Sequence, residues 1–232
     1  MALIVRGLIT SAFAIALWIA AIFIPTWFLT GNLDWPRGWE FIVFLCVRYF
    51  VITIWMARTD PSLLKERTSM SGKQPMADRI ATLFLAVVLT CALVFVPMDV
   101  HKFQFLPNLS ASQSYWDGYL FLAAGTIIVW LTLRANSFAA TIVKDQADRD
   151  QKVIDTGPYA IVRHPMYLSL AVFLVGYGLF LGSTLFALIA IPTVILAFVP
   201  RILIEEATLK RDLDGYSDYM TRVRWRIVPF IF

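Results

Sequence analysis

Long apolar stretches separated by short polar segments dominate the pattern of this chain. A helix needs about 20 apolar residues to cross a hydrocarbon core of about 30 Å. Four stretches are close to that length or longer, at 3–29, 39–57, 80–97 and 116–133. Each is therefore predicted to form one transmembrane helix.

A fifth apolar block, 166–200, is too long for a single crossing. Gly182-Ser183 interrupts it, and Pro192 lies in its second half. Because glycine and serine together favour a turn, we predict a helical hairpin of two short or tilted spans. The expected fold is an all-α polytopic membrane protein with about six passes.

Composition agrees with this class, because 59% of the residues are hydrophobic and 16% are charged. In typical soluble domains about 45–50% of the residues are apolar and about 25% are charged. Cys46 and Cys91 fall inside predicted spans, so neither a disulfide nor a metal site is expected. The apolar segment within Met1–Leu29 is too long for the core of a signal peptide, so we interpret it as the first span.

Positive charges are distributed unevenly. The 20 Lys and Arg residues lie at the N-terminus, at 58–79, at 134–163 and from Arg201 onward, with the exceptions of Arg37, Arg48 and Lys102. The positive-inside tendency predicts that both termini and the polar C-terminal segments face the cytoplasm. The net charge of +4 then reflects topology and attraction to anionic membrane lipids, and nucleic-acid binding is not expected.

The chain divides into two parts with different content. Residues 1–112 hold the first three spans and little polar chemistry. Residues 113–232 are expected to form the catalytic region, with span four, a cytoplasmic segment at 134–165, the hairpin at 166–200, and a C-terminal helix and tail at 201–232.

The most distinctive polar segment is TGPYAIVRHPMY, residues 156–167. Gly157-Pro158 predicts a turn. Proline suits the first position of a helix and disfavours helical geometry in the residue before it, so a helix should begin at Pro165 with His164 at its threshold. Such a helix start can bind an anion. The alternative is that Arg163 and His164 are interfacial residues that cap and snorkel.

Glu205 and Glu206 follow the hairpin, and Arg201 lies one helical turn before Glu205. A surface ion pair worth at most about 1 kcal/mol would explain them without any function. Their position near the membrane interface favours a functional role, because poorly solvated charges are costly there.

The combination of these motifs resembles the isoprenylcysteine carboxyl methyltransferase family. The resemblance covers about 134–229 and rests on Asn136–Phe138, Val153–Tyr159, Arg163–Tyr167, the hairpin, Arg201–Leu209, Tyr216 and Tyr219. Related membrane methyltransferases, including phospholipid N-methyltransferases, share the RHPxY and EE elements. The resemblance implies an enzyme that uses S-adenosylmethionine, releases S-adenosylhomocysteine and takes a lipophilic substrate from the bilayer. It also implies an inner membrane in a prokaryote or the endoplasmic reticulum in a eukaryote.

Carried over by position, the resemblance also implies site residues. The cofactor contacts would be Gln151, Lys152, Val153, Ile154, Tyr159, His164, Pro165, Met166, Tyr167 and Glu205. Arg201 would contact the substrate, and Arg201, Glu205 and Glu206 are the candidate catalytic residues. A further polar cofactor contact matches either Lys144 or Gln146. Many relatives have histidine at the position of Gln151, so an imidazole role is lost there.

The expected roles follow from charge. His164 and the start of the helix would bind the carboxylate of the cofactor. Glu205 would bind the ammonium group of the cofactor or balance the charge of its sulfonium. Tyr159 or Tyr167 would flank the adenosine. Arg201 would orient a substrate carboxylate, whereas for an amine or thiol substrate Glu206 becomes the candidate base.

Two other functions remain open at this point: an NADPH-dependent sterol-type reductase with a similar cofactor region, and a protein of this fold without a working site. Arg48, in the middle of the second span, is either functional or snorkelling, and we leave it outside the site. The oligomeric state is left open.

Overall fold

The structure, a computed structural model, describes residues 2–69, 76–107, 111–138 and 152–232. These residues form helices without any β-strand in the described ranges. The α-helices are α1 (Ala2–Thr30), α2 (Pro36–Thr59), α3 (Pro61–Thr68), α4 (Met76–Met98), α5 (Ala111–Ala135), α6 (Pro165–Leu181), α7 (Thr184–Asp212) and α8 (Tyr216–Arg222). A π-helical turn, Asp99–Phe103, extends α4, and a 3₁₀ turn, Gly157–Ala160, precedes α6.

Hydropathy predicted the membrane helices correctly. Five helices in the described ranges are long and apolar enough to cross a membrane, namely α1, α2, α4, α5 and α7. The apolar α6 has 17 residues, about 25 Å at 1.5 Å per residue, and is the short arm of the hairpin. An all-helical polytopic fold is therefore confirmed, with α6 as a short sixth apolar helix.

The hairpin turns at the predicted position. Gly182 has a φ of 97°, a left-handed conformation that ends α6 and favours glycine. Ser183 caps the next helix, since its hydroxyl oxygen accepts a hydrogen bond from the Phe186 N–H at 3.2 Å. The same hydroxyl donates to the buried carboxylate of Asp99 at 2.5 Å, which ties the turn to the end of α4.

The second arm of the hairpin is longer than the sequence suggested. We expected the span to close at Pro200 and a separate C-terminal helix to start at Arg201. Instead α7 continues through Pro200 to Asp212 as a single helix. A proline removes one backbone hydrogen bond, but the buried neighbours Phe198 and Ile202 hold this helix against the core.

Backbone contact between α5 and α6 sets the scaffold of the C-terminal half. A Cβ at Gly118 would lie 2.5 Å from the Phe180 nitrogen, and one at Gly176 would lie 2.6 Å from the Leu122 nitrogen. Small residues allow such close packing between membrane helices. This packing fixes the start of α6, and with it His164 and Tyr167, relative to the end of α5.

Candidate functional site

A cavity of about 670 Å³ lies where the polar C-terminal segments meet the membrane helices. Its volume falls within the range of about 300–1,000 Å³ that is usual for ligand pockets. The predicted cofactor and substrate residues that line it are Lys152, Val153, Ile154, Tyr159, His164, Pro165, Met166, Tyr167, Arg201 and Glu205. Gln151, Lys144 and Gln146 lie outside the described residues.

The N-terminal helices also form part of the wall, which the sequence analysis did not foresee. The described residues that they contribute include Trp18 from α1, Arg48 from α2, Arg67 from α3, and Thr82 and Leu89 from α4. The lining residues from α1 and α4 are mostly apolar, since they include Trp18, Leu85, Ala86 and Leu89, whereas the C-terminal segments contribute most of the polar ones. Such a lining suits a ligand with a polar head and an apolar chain.

Tyr159 is held in the cavity wall by two hydrogen bonds. Its hydroxyl oxygen accepts from the side-chain N–H of Asn136 at 2.9 Å, and its carbonyl oxygen accepts from the Tyr219 hydroxyl at 2.8 Å. Gly157, at a φ of 58°, makes the turn that presents Tyr159 to the cavity. Burial raises the pKa of Tyr159 to about 12, so the phenol is neutral at physiological pH and its own O–H remains a donor.

His164, Tyr167 and Glu205 form a connected group on the wall. The rings of His164 and Tyr167 stack with centroids 5.3 Å apart, and the Tyr167 ring packs on Phe198 at 4.0 Å. The Tyr167 hydroxyl donates to Glu205 Oε2 at 2.8 Å. His164 Nδ1 lies 3.9 Å from the same oxygen. Glu205 is thus oriented by two neighbours while it still faces the cavity.

Glu206 lies behind the cavity wall and is 5% exposed. Its Oε1 accepts from Arg163 Nε at 2.7 Å and lies 3.1 Å from His164 Nε2, and its Oε2 accepts from Arg226 Nε at 3.1 Å. A carboxylate held by these three partners is poorly placed to remove a proton from a substrate in the cavity. These contacts connect Glu206 to the segment before α6 and to the C-terminal tail.

The C-terminal tail completes this arrangement. Arg163 Nη1 donates to the carbonyls of Val223 and Arg224 at 2.7 and 2.9 Å. The backbone N–H groups of Arg163 and His164 donate to the carbonyls of Trp225 and Arg226 at 2.9 and 2.8 Å. The segment before α6 is therefore locked by a chain region some 60 residues away.

Arg201 lies on the same face of α7 as Glu205, one helical turn earlier. It is 7% exposed, lines the cavity, and donates from Nη1 to the Thr82 hydroxyl at 3.3 Å. This contact joins α7 to α4.

The donor set fits S-adenosylmethionine. Glu205 can receive its ammonium or balance its sulfonium, and the face of Tyr159 can accept an adenine through an aromatic contact. The Tyr167 ring already packs on His164 and Phe198. Lys152 and His164 can meet the carboxylate of the cofactor. Among the described residues, no group of His, Cys, Asp or Glu side chains is arranged to hold a metal ion.

Comparison with known proteins gives an independent result for the same region. No curated protein matches the chain. The family model described as phospholipid methyltransferase matches residues 113–214, which run from α5 to the end of α7 and include His164, Tyr167, Arg201 and Glu205. This family is related to the isoprenylcysteine carboxyl methyltransferases, so the resemblance seen in the sequence is confirmed at family level. Residues 113–214 are thus similar to the phospholipid methyltransferase family, and this similarity supports a membrane methyltransferase.

Proposed function

We propose that this protein transfers a methyl group from S-adenosylmethionine to a lipophilic acceptor that enters from the bilayer. The observation that carries the proposal is the convergence of Tyr159, His164, Tyr167, Arg201 and Glu205 on one cavity with polar and apolar lining residues. Four of these five residues lie in α6, in α7 or at the threshold of α6, and all lie within the matched region.

The protein's contribution is alignment and exclusion of water. The bound cofactor supplies an electrophilic methyl group, and displacement at that carbon needs no metal. Glu205, oriented by Tyr167 and His164, holds the positive end of the cofactor. Arg201 orients the acceptor through a charge-assisted contact, so that its nucleophilic atom faces the methyl group.

An acid is the acceptor that this geometry supports best. A carboxylate that takes a methyl group becomes a neutral ester and releases no proton. An amine must lose a proton, and the two carboxylates at the cavity are poorly placed to take it. Glu205 is the one carboxylate among the described lining residues and is bonded to Tyr167, while Glu206 is paired behind the wall. The proposed acceptor is an isoprenylcysteine or a similar prenyl or lipid acid, with a thiol or a phospholipid amine as the alternative.

Binding of S-adenosylhomocysteine and of NADPH to detergent-purified protein tests the proposal. S-adenosylhomocysteine should bind, and Glu205→Gln should weaken its binding at least tenfold. Asp212→Asn is a matched control, because Asp212 is an exposed carboxylate on the same helix that pairs with Arg211. Binding of NADPH alone would favour a reductase, and binding of neither would favour a protein without a working site.

The acceptor can then be sought with labelled S-adenosylmethionine in native lipid extract. Label that moves into a base-labile ester would support an acid acceptor, whereas label in a stable amine would contradict it.

We also propose that the cavity and both termini face the cytoplasm, as the distribution of positive charges suggests. Single cysteines placed near either end of the chain, in a variant with Cys46 and Cys91 replaced, should react with an impermeant maleimide only after cell lysis. Labelling of intact cells would contradict this orientation.

A further inference from the structure

Residues 225–232 of the C-terminal tail, which we call the tail loop, carry exposed apolar side chains and lie outside the matched region. Phe230 is 85% exposed and Ile231 is 68% exposed. The Trp225 ring packs on that of Phe230, with the ring centroids 5.3 Å apart. Methyl transfer, as proposed above, uses none of these three side chains.

The inner face of the tail loop is fixed to the rest of the protein. Ile227 is fully buried in the main apolar core, and its neighbour Val228 packs against that core. The backbone oxygen of Phe232 accepts hydrogen bonds from three successive N–H groups, those of residues 226–228, at 2.9, 2.8 and 3.1 Å. The loop is therefore a closed turn that is apolar on its outer face as well as on its inner face. An exposed apolar patch of this kind is typical of an interaction surface.

The backbone of Phe230 is strained. Its φ is 67°, in the left-handed region that glycine and asparagine adopt readily and a bulky residue does not. Because the ring is largely exposed, packing within the described part of the protein does not account for a phenylalanine here. Strain of this kind clusters at functional positions. The position therefore indicates that the ring contacts something outside the chain.

The tail loop lies at the depth of a membrane interface. The backbone N–H groups of Arg163 and His164 donate to the carbonyls of Trp225 and Arg226, which joins the loop to the start of α6. The Arg226 side chain joins it to Glu206 on α7 at 3.1 Å. At 1.5 Å per residue, α6 is about 25 Å long, and Glu206 lies about 33 Å from the start of α7. Both helices meet at the same hairpin turn, so the loop lies about one hydrocarbon thickness, about 30 Å, from that turn.

We propose that the tail loop is an interfacial anchor, in which Trp225, Phe230 and Ile231 insert into the lipid bilayer beside the start of α6. Aromatic rings are favoured at this depth, and the indole N–H of tryptophan can still reach water or a headgroup. Arg224 is exposed next to the loop, where its cation can meet headgroup phosphates. The anchor does not depend on methyl transfer. It bears on the cavity, because the same loop holds the segment before α6.

A fluorescent label at residue 231 tests the anchor. Ile231→Cys, in the full chain with Cys46 and Cys91 replaced by alanine, is labelled with nitrobenzoxadiazole and reconstituted in phosphatidylcholine nanodiscs. Phosphatidylcholine that carries a spin label close to its headgroup should quench this label at least twofold more strongly than iodide in the water. Ser217→Cys is the matched control, because Ser217 is exposed on α8, outside the loop, and iodide should quench it more strongly than the lipid does.

Phe230→Asn removes the ring while keeping a residue that suits the backbone. Since asparagine tolerates the left-handed conformation and the position is exposed, the melting temperature in detergent should stay within about 2 °C of wild type. In nanodiscs the variant should lose at least half of the lipid quenching at residue 231 and become more accessible to iodide. Phe230→Leu keeps an apolar side chain and should retain most of the lipid quenching.

Three results would overturn the anchor. Strong quenching by iodide at residue 231 in nanodiscs, with little quenching by the lipid, would mean that the outer face lies in water. Protection from both quenchers would mean that protein, such as a second copy of the chain, covers this face instead. Unchanged lipid quenching in Phe230→Asn would mean that the ring does not hold the loop in the bilayer.

Discussion

Glu205 and Glu206 are adjacent in sequence, yet we expect different effects when each is replaced by glutamine. Replacement of Glu206 should lower the stability of the protein, whereas replacement of Glu205 should weaken cofactor binding. Glu206→Gln removes the charge at the centre of the buried group formed with Arg163, His164 and Arg226. Loss of one partner from a buried ion pair costs about 3–5 kcal/mol. Glutamine keeps the shape and one acceptor oxygen, so we expect the lower end of this range, about 3 kcal/mol.

That loss converts into a measurable shift in melting temperature. For chains of 150–250 residues, 1 kcal/mol corresponds to about 2–4 °C, so Glu206→Gln should melt about 6–12 °C lower. Tryptophan fluorescence of the detergent-purified protein reports unfolding, since the chain has eight tryptophans. Methyl transfer should persist at a reduced rate, because His164 loses a support rather than a reacting partner.

Glu205→Gln is the matched comparison. This side chain is 28% exposed and contacts Tyr167 and His164, so its melting temperature should change by about 2 °C or less while cofactor affinity falls at least tenfold. The reasoning would be refuted if Glu206→Gln kept its melting temperature and abolished methyl transfer. That result would restore Glu206 as the base, the role that the sequence left open for it.

Three further predictions follow from single contacts. Tyr167→Phe keeps the ring but loses the 2.8 Å hydrogen bond to Glu205, so S-adenosylhomocysteine should bind about tenfold more weakly in calorimetry. Unchanged affinity would contradict the role of Tyr167 in orienting Glu205. Gly118→Ala would place a Cβ 2.5 Å from the Phe180 nitrogen and should destabilise the protein by about 1–3 kcal/mol, seen as a lower melting temperature. An unchanged melting temperature would argue against the close packing of α5 on α6. Because burial raises the pKa of Tyr159 to about 12, its phenol stays neutral through pH 10. The dependence of cofactor affinity on pH should therefore have the same shape for wild type and Tyr159→Phe from pH 7 to 10. A loss of affinity near pH 10 in the wild type alone would contradict that assignment.

Local sequence signals were sufficient for the helices and for much of the cavity wall. Span length follows from hydropathy, and the hairpin turn follows from Gly182, whose left-handed conformation few other residues adopt without strain. The same local logic misplaced the end of the second arm. Pro200 predicts a helix end, but burial of Phe198 and Ile202 in the core outweighs the one backbone bond that proline removes.

The N-terminal wall could not be derived from the motifs. Arg48 stood out as a charge in an apolar span, but hydropathy cannot say whether such a residue faces lipid or a cavity. Arg67 gave no signal, because an arginine in a polar loop is ordinary. Both reach the cavity because α2 and α3 pack beside α6, where Arg67 contacts Met166 near the start of the helix and Arg48 contacts Phe173 near its middle.

Which of the two glutamates faces the cavity also depends on contacts between residues that are distant in sequence. Successive residues on a helix point about 100° apart, so one of the pair must turn away from a ligand that faces the other. The C-terminal tail determines which of the two glutamates turns away from the cavity. The carbonyls of Val223 and Arg224 accept hydrogen bonds from Arg163. Arg163 in turn donates a hydrogen bond to Glu206. No local pattern around residues 205 and 206 contains that information. Among the described lining residues, Glu205 is therefore the carboxylate that faces the cavity, because Arg226, 20 residues after Glu206, helps to hold Glu206 away from it.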